Sequence, residues 1–183
     1  MGRLTRVYDK IVDCLIVSGV PQIFPGTDNF TQTIIPLNTR LNYTPIAWAV
    51  PSTVRHVQAA ILCGAELGVK VNPWPGGHSY ASHSIGGDDG HLVVDLKYFR
   101  ETRVDLATNI ATIGPGARLG NVALDLFAQG ERALAFGLCP GQVLSPSNLT
   151  SLLIIALESV LVGTSFTAVK DMAHVRMAFF WIL

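Results

Sequence analysis

Apolar residues recur every three or four positions at the start of the chain. Val7, Ile11, Cys14 and Leu15 share one face of a helix expected over residues 6–18, which Gly19 and Pro21 end. Residues 20–45 are rich in Pro, Asn, Thr and Gly and read as an extended, loop-like stretch. The apolar run Ala47–Val50, closed by Pro51, reads as a short strand. Ser52 then stands where an N-cap belongs, before a helix through Leu67 with Val54, Val57, Ile61 and Ala65 on its inner side. Gly68 stops that helix and Val69-Lys70-Val71 begins a second strand. Strand, helix and strand make a β–α–β unit, whose two strands are expected as parallel neighbours joined by a right-handed crossover.

The period then changes from helical to alternating. His91–Leu96, Arg103–Leu106 and Ile110–Ile113 read as strands, with Ala107-Thr108-Asn109 as a hairpin turn between the last two. Gly114-Pro115-Gly116 leads into a helix with Leu119, Val122, Ala123 and Leu126 on one face, stopped by Gly130. At Gln142 the character shifts again: of the 17 glycines only Gly163 lies beyond Gly141. The run Leu149–Val162 reads as a core helix or as translated sequence never selected to fold. A membrane span is disfavoured by its length and by Glu158 near its middle.

Composition narrows the function classes. Lys+Arg and Asp+Glu are equal at 13 each, and charged residues make up only 14% of the 183 residues. That balance lacks the basic footprint of a nucleic-acid binder and the charge blocks of a membrane-surface patch. The three cysteines, Cys14, Cys63 and Cys139, form no C-x-x-C, which argues against zinc or thioredoxin-like chemistry. In an oxidising compartment one disulfide would leave one thiol over, which could be Cys139. Arg3, Arg6 and Lys10 precede the run Ile11–Val20, but Asp13 interrupts it and no cleavage site follows. The segment reads as an amphipathic helix, with no signal peptide in this chain.

The chemistry concentrates in two segments. Pro75-Gly76-Gly77-His78-Ser79-Tyr80 follows a predicted strand, where a glycine pair lets backbone N–H groups approach an anion and a histidine meets the ligand. Gly137-Leu138-Cys139-Pro140-Gly141 holds a cysteine between turn-forming residues. Together they suit a loop that cradles a phosphate-bearing cofactor and two nucleophiles that could bond to it. The loop lacks G-x-G-x-x-G, which argues against a nicotinamide Rossmann domain. His56, His83, His91 and His174 have no partner at metal spacing and read as surface or structural, and Arg118 reads as a solvated helix residue.

These motifs, with Ala49-Val50-Pro51-Ser52-Thr53, Gly86-Gly87-Asp88-Asp89-Gly90-His91-Leu92 and Gly116-Ala117-Arg118-Leu119-Gly120, resemble the berberine-bridge-enzyme-like flavin oxidases. Those carry an FAD-binding PCMH-type domain of the vanillyl-alcohol-oxidase superfamily, and the likeness is greatest to fungal glucooligosaccharide oxidases. It covers residues 11–141. It implies an α+β fold of two small α/β subdomains, here incomplete, with an irregular apolar C-terminal tail over 142–183.

The resemblance also implies FAD bound bicovalently, His78 to the 8α carbon of the flavin and Cys139 to its C6 carbon. Pro75, Gly76, Gly77, Ser79, Tyr80, Ser82, Pro115, Gly116, Ala117 and Gly141 are the further expected cofactor contacts. It implies a Cys14–Cys63 disulfide, a secreted enzyme, and oxidation of a sugar C1 hydroxyl to a lactone with O₂ reduced to H₂O₂. Two departures stand out. Trp74 occupies the place, four residues before the histidine, where the family is usually basic. After Gly141 the family's glycine- and histidine-rich stretch gives way to Gln142-Val143-Leu144-Ser145, as mis-splicing or a frame shift would produce, and the substrate domain with its tyrosine base does not follow. The chain is therefore expected to supply only the FAD-binding part, without turnover of its own. The alternative is a non-catalytic flavin-binding fragment or an unstable truncated product.

Overall fold

The computed structural model describes residues 2–27, 30–33, 35–79, 81–133, 141, 164–167 and 178–179. The chain divides into two compact α/β units, Met1–Tyr98 and Phe99–Leu183.

The first unit is built on a four-stranded sheet. Its strands are β1 (Gln22–Ile23), β2 (Ala47–Ala49), β3 (Val71–Trp74) and β4 (Leu92–Asp95), in the order β1-β2-β4-β3. β4 runs parallel to both β2 and β3, and β1 is antiparallel to β2. The two strands of the β–α–β unit are thus parallel but not neighbours, contrary to the sequence reading: β4 lies between them. The physical reason lies in the residues. Leu92, Val93 and Val94 are at most 3% exposed, as a central parallel strand covered on both faces requires. β3 carries Pro73, which has no N–H for a second neighbour, and belongs at an edge.

Two helices pack together on this unit, α1 (Gly2–Val17) and α3 (Val54–Leu67). α1 buries Ile11 and Leu15 completely, while Asp9, Lys10 and Asp13 stay exposed, so the N-terminal segment is the amphipathic helix its pattern predicts. The disulfide Cys14–Cys63 joins α1 to α3, as the resemblance implied. The N-cap of α3 is Thr53 rather than Ser52: its Oγ1 accepts the His56 N–H at 3.2 Å. The inner face also differs from expectation. Val57, Ala60, Cys63 and Gly64 are buried, whereas Val54 is 54% exposed and Ala65 is exposed. The cause is close approach: a Cβ on Gly64 would overlap the Val71 side chain of β3, so the small residues turn inward.

Residues 20–45 are not wholly loop. They hold β1 and one short helical turn, α2 (Phe30–Thr33), which delivers Phe30 to a core cluster of Trp48, Val50, Trp74, Ile85 and Val93. Trp48 and Trp74 meet edge to face there, centroids 4.9 Å apart. Asp95 at the end of β4 is buried but well served. It accepts the Trp48 indole N–H at 3.3 Å and the Lys97 backbone N–H at 3.0 Å, with Lys97 Nζ 3.4 Å away.

In the second unit β5 (Thr102–Asp105) and β6 (Ile110–Ile113) form the expected antiparallel hairpin. Asp105 closes its turn, accepting the Thr108 hydroxyl at 2.7 Å and the Ala107 N–H at 2.9 Å. α4 (Leu119–Ala128) buries Leu119, Val122 and Leu126. Gln129, just after it, bonds Thr102 O and Val104 N of β5, both at 2.9 Å. In the tail, β7 (Thr164–Thr167) pairs with β6, and β8 (Ala178–Phe179) pairs with β7, so these two stretches are regular. The apolar run Leu149–Val162 lies outside the described residues. Among the described residues no helix is long and apolar enough to cross a membrane.

Candidate functional site

The glycine loop leaves β3 at Trp74 and is shaped by what lies beneath it. Trp74 is buried in the core cluster, so the position where a cation was expected instead supplies the floor of the loop. Gly77 sits directly against that indole with φ +73°, and a Cβ there would overlap the ring carbons. Only glycine combines this left-handed backbone with so close an approach. The Gly77 carbonyl accepts the Leu37 N–H at 3.4 Å. The N–H groups of Gly76, Gly77, His78 and Ser79 have no partner among the described residues. Successive free amides beside a left-handed glycine form a concavity suited to an anion.

Beyond the histidine the chain folds back on itself. Ser79 accepts twice, its carbonyl from Ser82 N at 3.2 Å and its hydroxyl from His83 N at 3.1 Å. The Ser82 carbonyl receives Ile85 N at 3.1 Å and Gly87 N at 3.3 Å, closing a 3-10 turn over His83–Ile85. Ile85 anchors that turn in the core. Ser82 is a non-glycine residue at φ +54° and is fully buried, yet its hydroxyl has no partner among the described residues. His78 Nδ1 is likewise buried and unpartnered. Each such group costs roughly 1–3 kcal/mol, and left-handed backbone at a serine adds about 1–3 kcal/mol more. Two polar side-chain atoms and four amides of one loop that lack a partner among the described residues are what a ligand with acceptor oxygens and an electrophilic atom would satisfy.

The expected site residues fall in two groups. Pro75, Gly76, Gly77, His78, Ser79 and Ser82 share this loop of the first unit, while Tyr80 lies outside the described residues. Pro115, Gly116, Ala117 and Gly141 belong to the second unit. There the Gly116 N–H donates to Phe99 O at 2.8 Å and the Ala117 N–H to Gly114 O at 3.0 Å. These amides are used in closing a tight strand-to-helix turn, so a ligand would meet other atoms of it. Arg118 is half-buried, stands as the N-cap of α4 rather than inside it, and donates from Nη1 to Gly141 O at 3.2 Å in a solvent-exposed bond. The structure therefore brings Gly141 to the start of α4. Cys139 lies outside the described residues.

The sequence reading missed Asn72, which lies inside β3 with nothing in its spacing to mark it. Its Nδ2 donates to His83 O at 2.9 Å and its Oδ1 pairs with His91 Nδ1. His91 is the buried structural histidine of the set, 7% exposed. Burial, then the positive charge of Lys70, push its pKa below the ordinary 6.5, and Asp88 opposes them. His83 is exposed and His56 pairs with Ser52 at 3.4 Å. Among the described residues no three His, Cys, Asp or Glu side chains gather at metal-binding distance.

Residues 45–144 match a family profile described as "FAD binding domain". Over 131 residues the chain is 50% identical to a xylooligosaccharide oxidase of Thermothelomyces thermophilus, covering 72% of this chain and 26% of that protein. A solved xylooligosaccharide oxidase from Myceliophthora thermophila in complex with xylobiose superposes with a TM-score of 0.69 at 49% identity, covering 73% of this chain and 28% of the other. A solved glucooligosaccharide oxidase from Acremonium strictum, described for its 6-S-cysteinyl, 8α-N1-histidyl FAD, gives a TM-score of 0.69 at 38% identity over 74% of this chain and 28% of its own. The chain thus spans about a quarter of the length of the curated relatives it matches.

Proposed function

The chain belongs to this family of FAD binding domains, and on that premise we propose that it is the cofactor-holding part of a secreted oligosaccharide oxidase. When bound, FAD supplies a two-electron acceptor that takes hydride from the C1 carbon of a reducing sugar, giving a lactone, and returns the electrons to O₂ as H₂O₂. The residues of this chain bind and orient that group. The free amides of Gly76 to Ser79 are the donors for a diphosphate. Ser82 Oγ supplies a hydroxyl from the same loop, and His78 Nδ1 presents a nitrogen lone pair to the ring.

One observation carries the reading: a buried Nδ1 on His78, beside the amides of Gly76 to Ser79, all without a partner among the described residues. The imidazole nitrogen named N1 in the glucooligosaccharide oxidase's histidyl FAD corresponds to Nδ1. His78 is therefore the first covalent anchor in this proposal and Cys139 the second, as a thiolate is a competent nucleophile toward an electron-poor ring. Secretion is supported by the Cys14–Cys63 disulfide, which persists in oxidising compartments.

The test is to express the chain with FAD, precipitate it with acid and follow the yellow colour. Colour in the pellet that is lost in a His78→Ala/Cys139→Ser double variant supports the anchors; a colourless wild-type pellet refutes covalent attachment. The matched part being a quarter of an oxidase, the chain alone is expected to produce no peroxide from a cello-oligosaccharide. Peroxide from the purified chain would overturn that division of roles.

A further inference from the structure

We propose that Asn72 is the positioning residue of the His78 loop, tying the turn Ser79–Gly87 to β3 and so presetting the amides and hydroxyl that meet the cofactor. The inference rests on the FAD reading above for its functional half.

The carboxamide of Asn72 is used at both ends. Its oxygen can only accept, so the partner His91 Nδ1 carries the proton in that bond. This fixes which way the amide faces and aims Nδ2 at the His83 carbonyl, 2.9 Å away. His91 is itself held, because its ring packs directly against the backbone of Gly86, where a Cβ would overlap it. The imidazole thus orients Asn72 from one side while flooring the turn from the other.

From His83 the constraint passes back toward the histidine. The His83 N–H is bound to Ser79 Oγ and the Ser82 N–H to Ser79 O, so fixing His83 fixes Ser79, the residue after His78. On the other side of the loop the brace from Leu37 N to Gly77 O is longer, at 3.4 Å. Ile85 holds the turn by packing in the core. The His83 carbonyl also accepts the Gly86 N–H at 3.0 Å within the turn, and the Asn72 bond is the one that ties that carbonyl to β3.

The experiment compares the full 183-residue chain with Asn72→Asp, which keeps the acceptor toward His91 but sets a carboxylate against the His83 carbonyl. Asn72→Ser, which is shorter and uncharged, serves as the second variant. Three quantities are read: amide exchange at Ile85, Gly86 and Gly87, flavin retained after gel filtration, and the visible circular dichroism of bound flavin at saturating FAD. Loss of this bond is expected to speed exchange at those three amides by about tenfold and to lower the share of the chain that retains flavin. The dichroism of the bound flavin changes shape, while amides of α1 and α3 keep their protection.

Unchanged exchange at the three amides in both variants overturns the proposal. So does faster exchange spread evenly over the first unit, since that would mark Asn72 as a general stabiliser. If the loop loosens but FAD retention and dichroism stay as in the wild type, the positioning role is overturned and only a local tie remains. Should the wild-type chain hold no flavin at all, the FAD reading fails by itself, and exchange at the turn still decides whether Asn72 orders it.

Discussion

Replacing Gly77 by alanine tests the architecture under the histidine most directly. Two costs can be assigned separately. The backbone sits at φ +73°, and holding an L-residue there costs roughly 1–2 kcal/mol. The new methyl would also overlap the indole of Trp74, which is 9% exposed and wedged against Trp48, so it cannot move aside freely. Overpacking of that kind costs roughly 1–3 kcal/mol. The sum is about 2–5 kcal/mol, and each kcal/mol lowers the melting temperature of a chain this size by about 2–4 °C.

The structure supplies its own control. Gly68, which ends α3, has φ +65° but nothing within 4 Å of a Cβ, so Gly68→Ala reports the backbone cost alone. Thermal melts followed by tryptophan fluorescence should show Gly77→Ala more destabilising than Gly68→Ala by the overpacking part. In a Trp74→Leu background that excess should vanish, as a double-mutant cycle on two touching groups requires. If Gly77→Ala and Gly68→Ala cost the same, or if the excess survives removal of the indole, the claim that Trp74 floors the loop is wrong.

Two further outcomes follow from the first unit. Removing the Cys14–Cys63 bridge, whose ends are 49 residues apart, by a double change to serine should cost roughly 2–4 kcal/mol in urea denaturation; unchanged stability would refute a bridge that restrains the unfolded chain. His91 has its pKa lowered by burial and by Lys70, so the unfolded chain binds the more protons between the folded value and 6.5. Stability from this group is therefore complete above 6.5 and lost as pH falls below it, and His91→Gln should flatten that part of the profile.

What could be read in the sequence was whatever is local. The α1 stripe, the β5–β6 hairpin and the α4 face followed from the period of apolar residues, because each is decided within its own segment. The order of strands was not local. Val69-Lys70-Val71 looks like any strand start, and only Pro73, together with the fully buried Leu92–Val94, explains why β4 displaces β3 to the edge. The inner face of α3 was read only in part: Val57 is buried as expected, but Val54 and Ala65 are exposed, and the close approach at Gly64 turns Ala60, Cys63 and Gly64 inward. The glycine loop was legible as a loop. Its free amides, the strained Ser82 and the Asn72 tie were not, since each depends on a partner far along the chain or on the lack of one.

On the proposed reading, the two ends of the loop are fixed by unlike means. Trp74 supports Gly77 through contact, and Asn72 holds His83 through a hydrogen bond. At and between these supports lie the His78 Nδ1 and the amides of Gly77, His78 and Ser79, none with a partner among the described residues, so the polar groups that meet a ligand are ordered before it arrives. Ordering beforehand removes a cost that binding would otherwise bear. It also explains how a tryptophan can stand where a cation was expected. A basic side chain there would attract a diphosphate through a charge that salt screens, whereas amides locked by the fold attract it through fixed dipoles at hydrogen-bonding distance. In the second unit the Gly116 and Ala117 amides are already bonded, whereas four successive amides of the loop that carries His78 have no partner among the described residues.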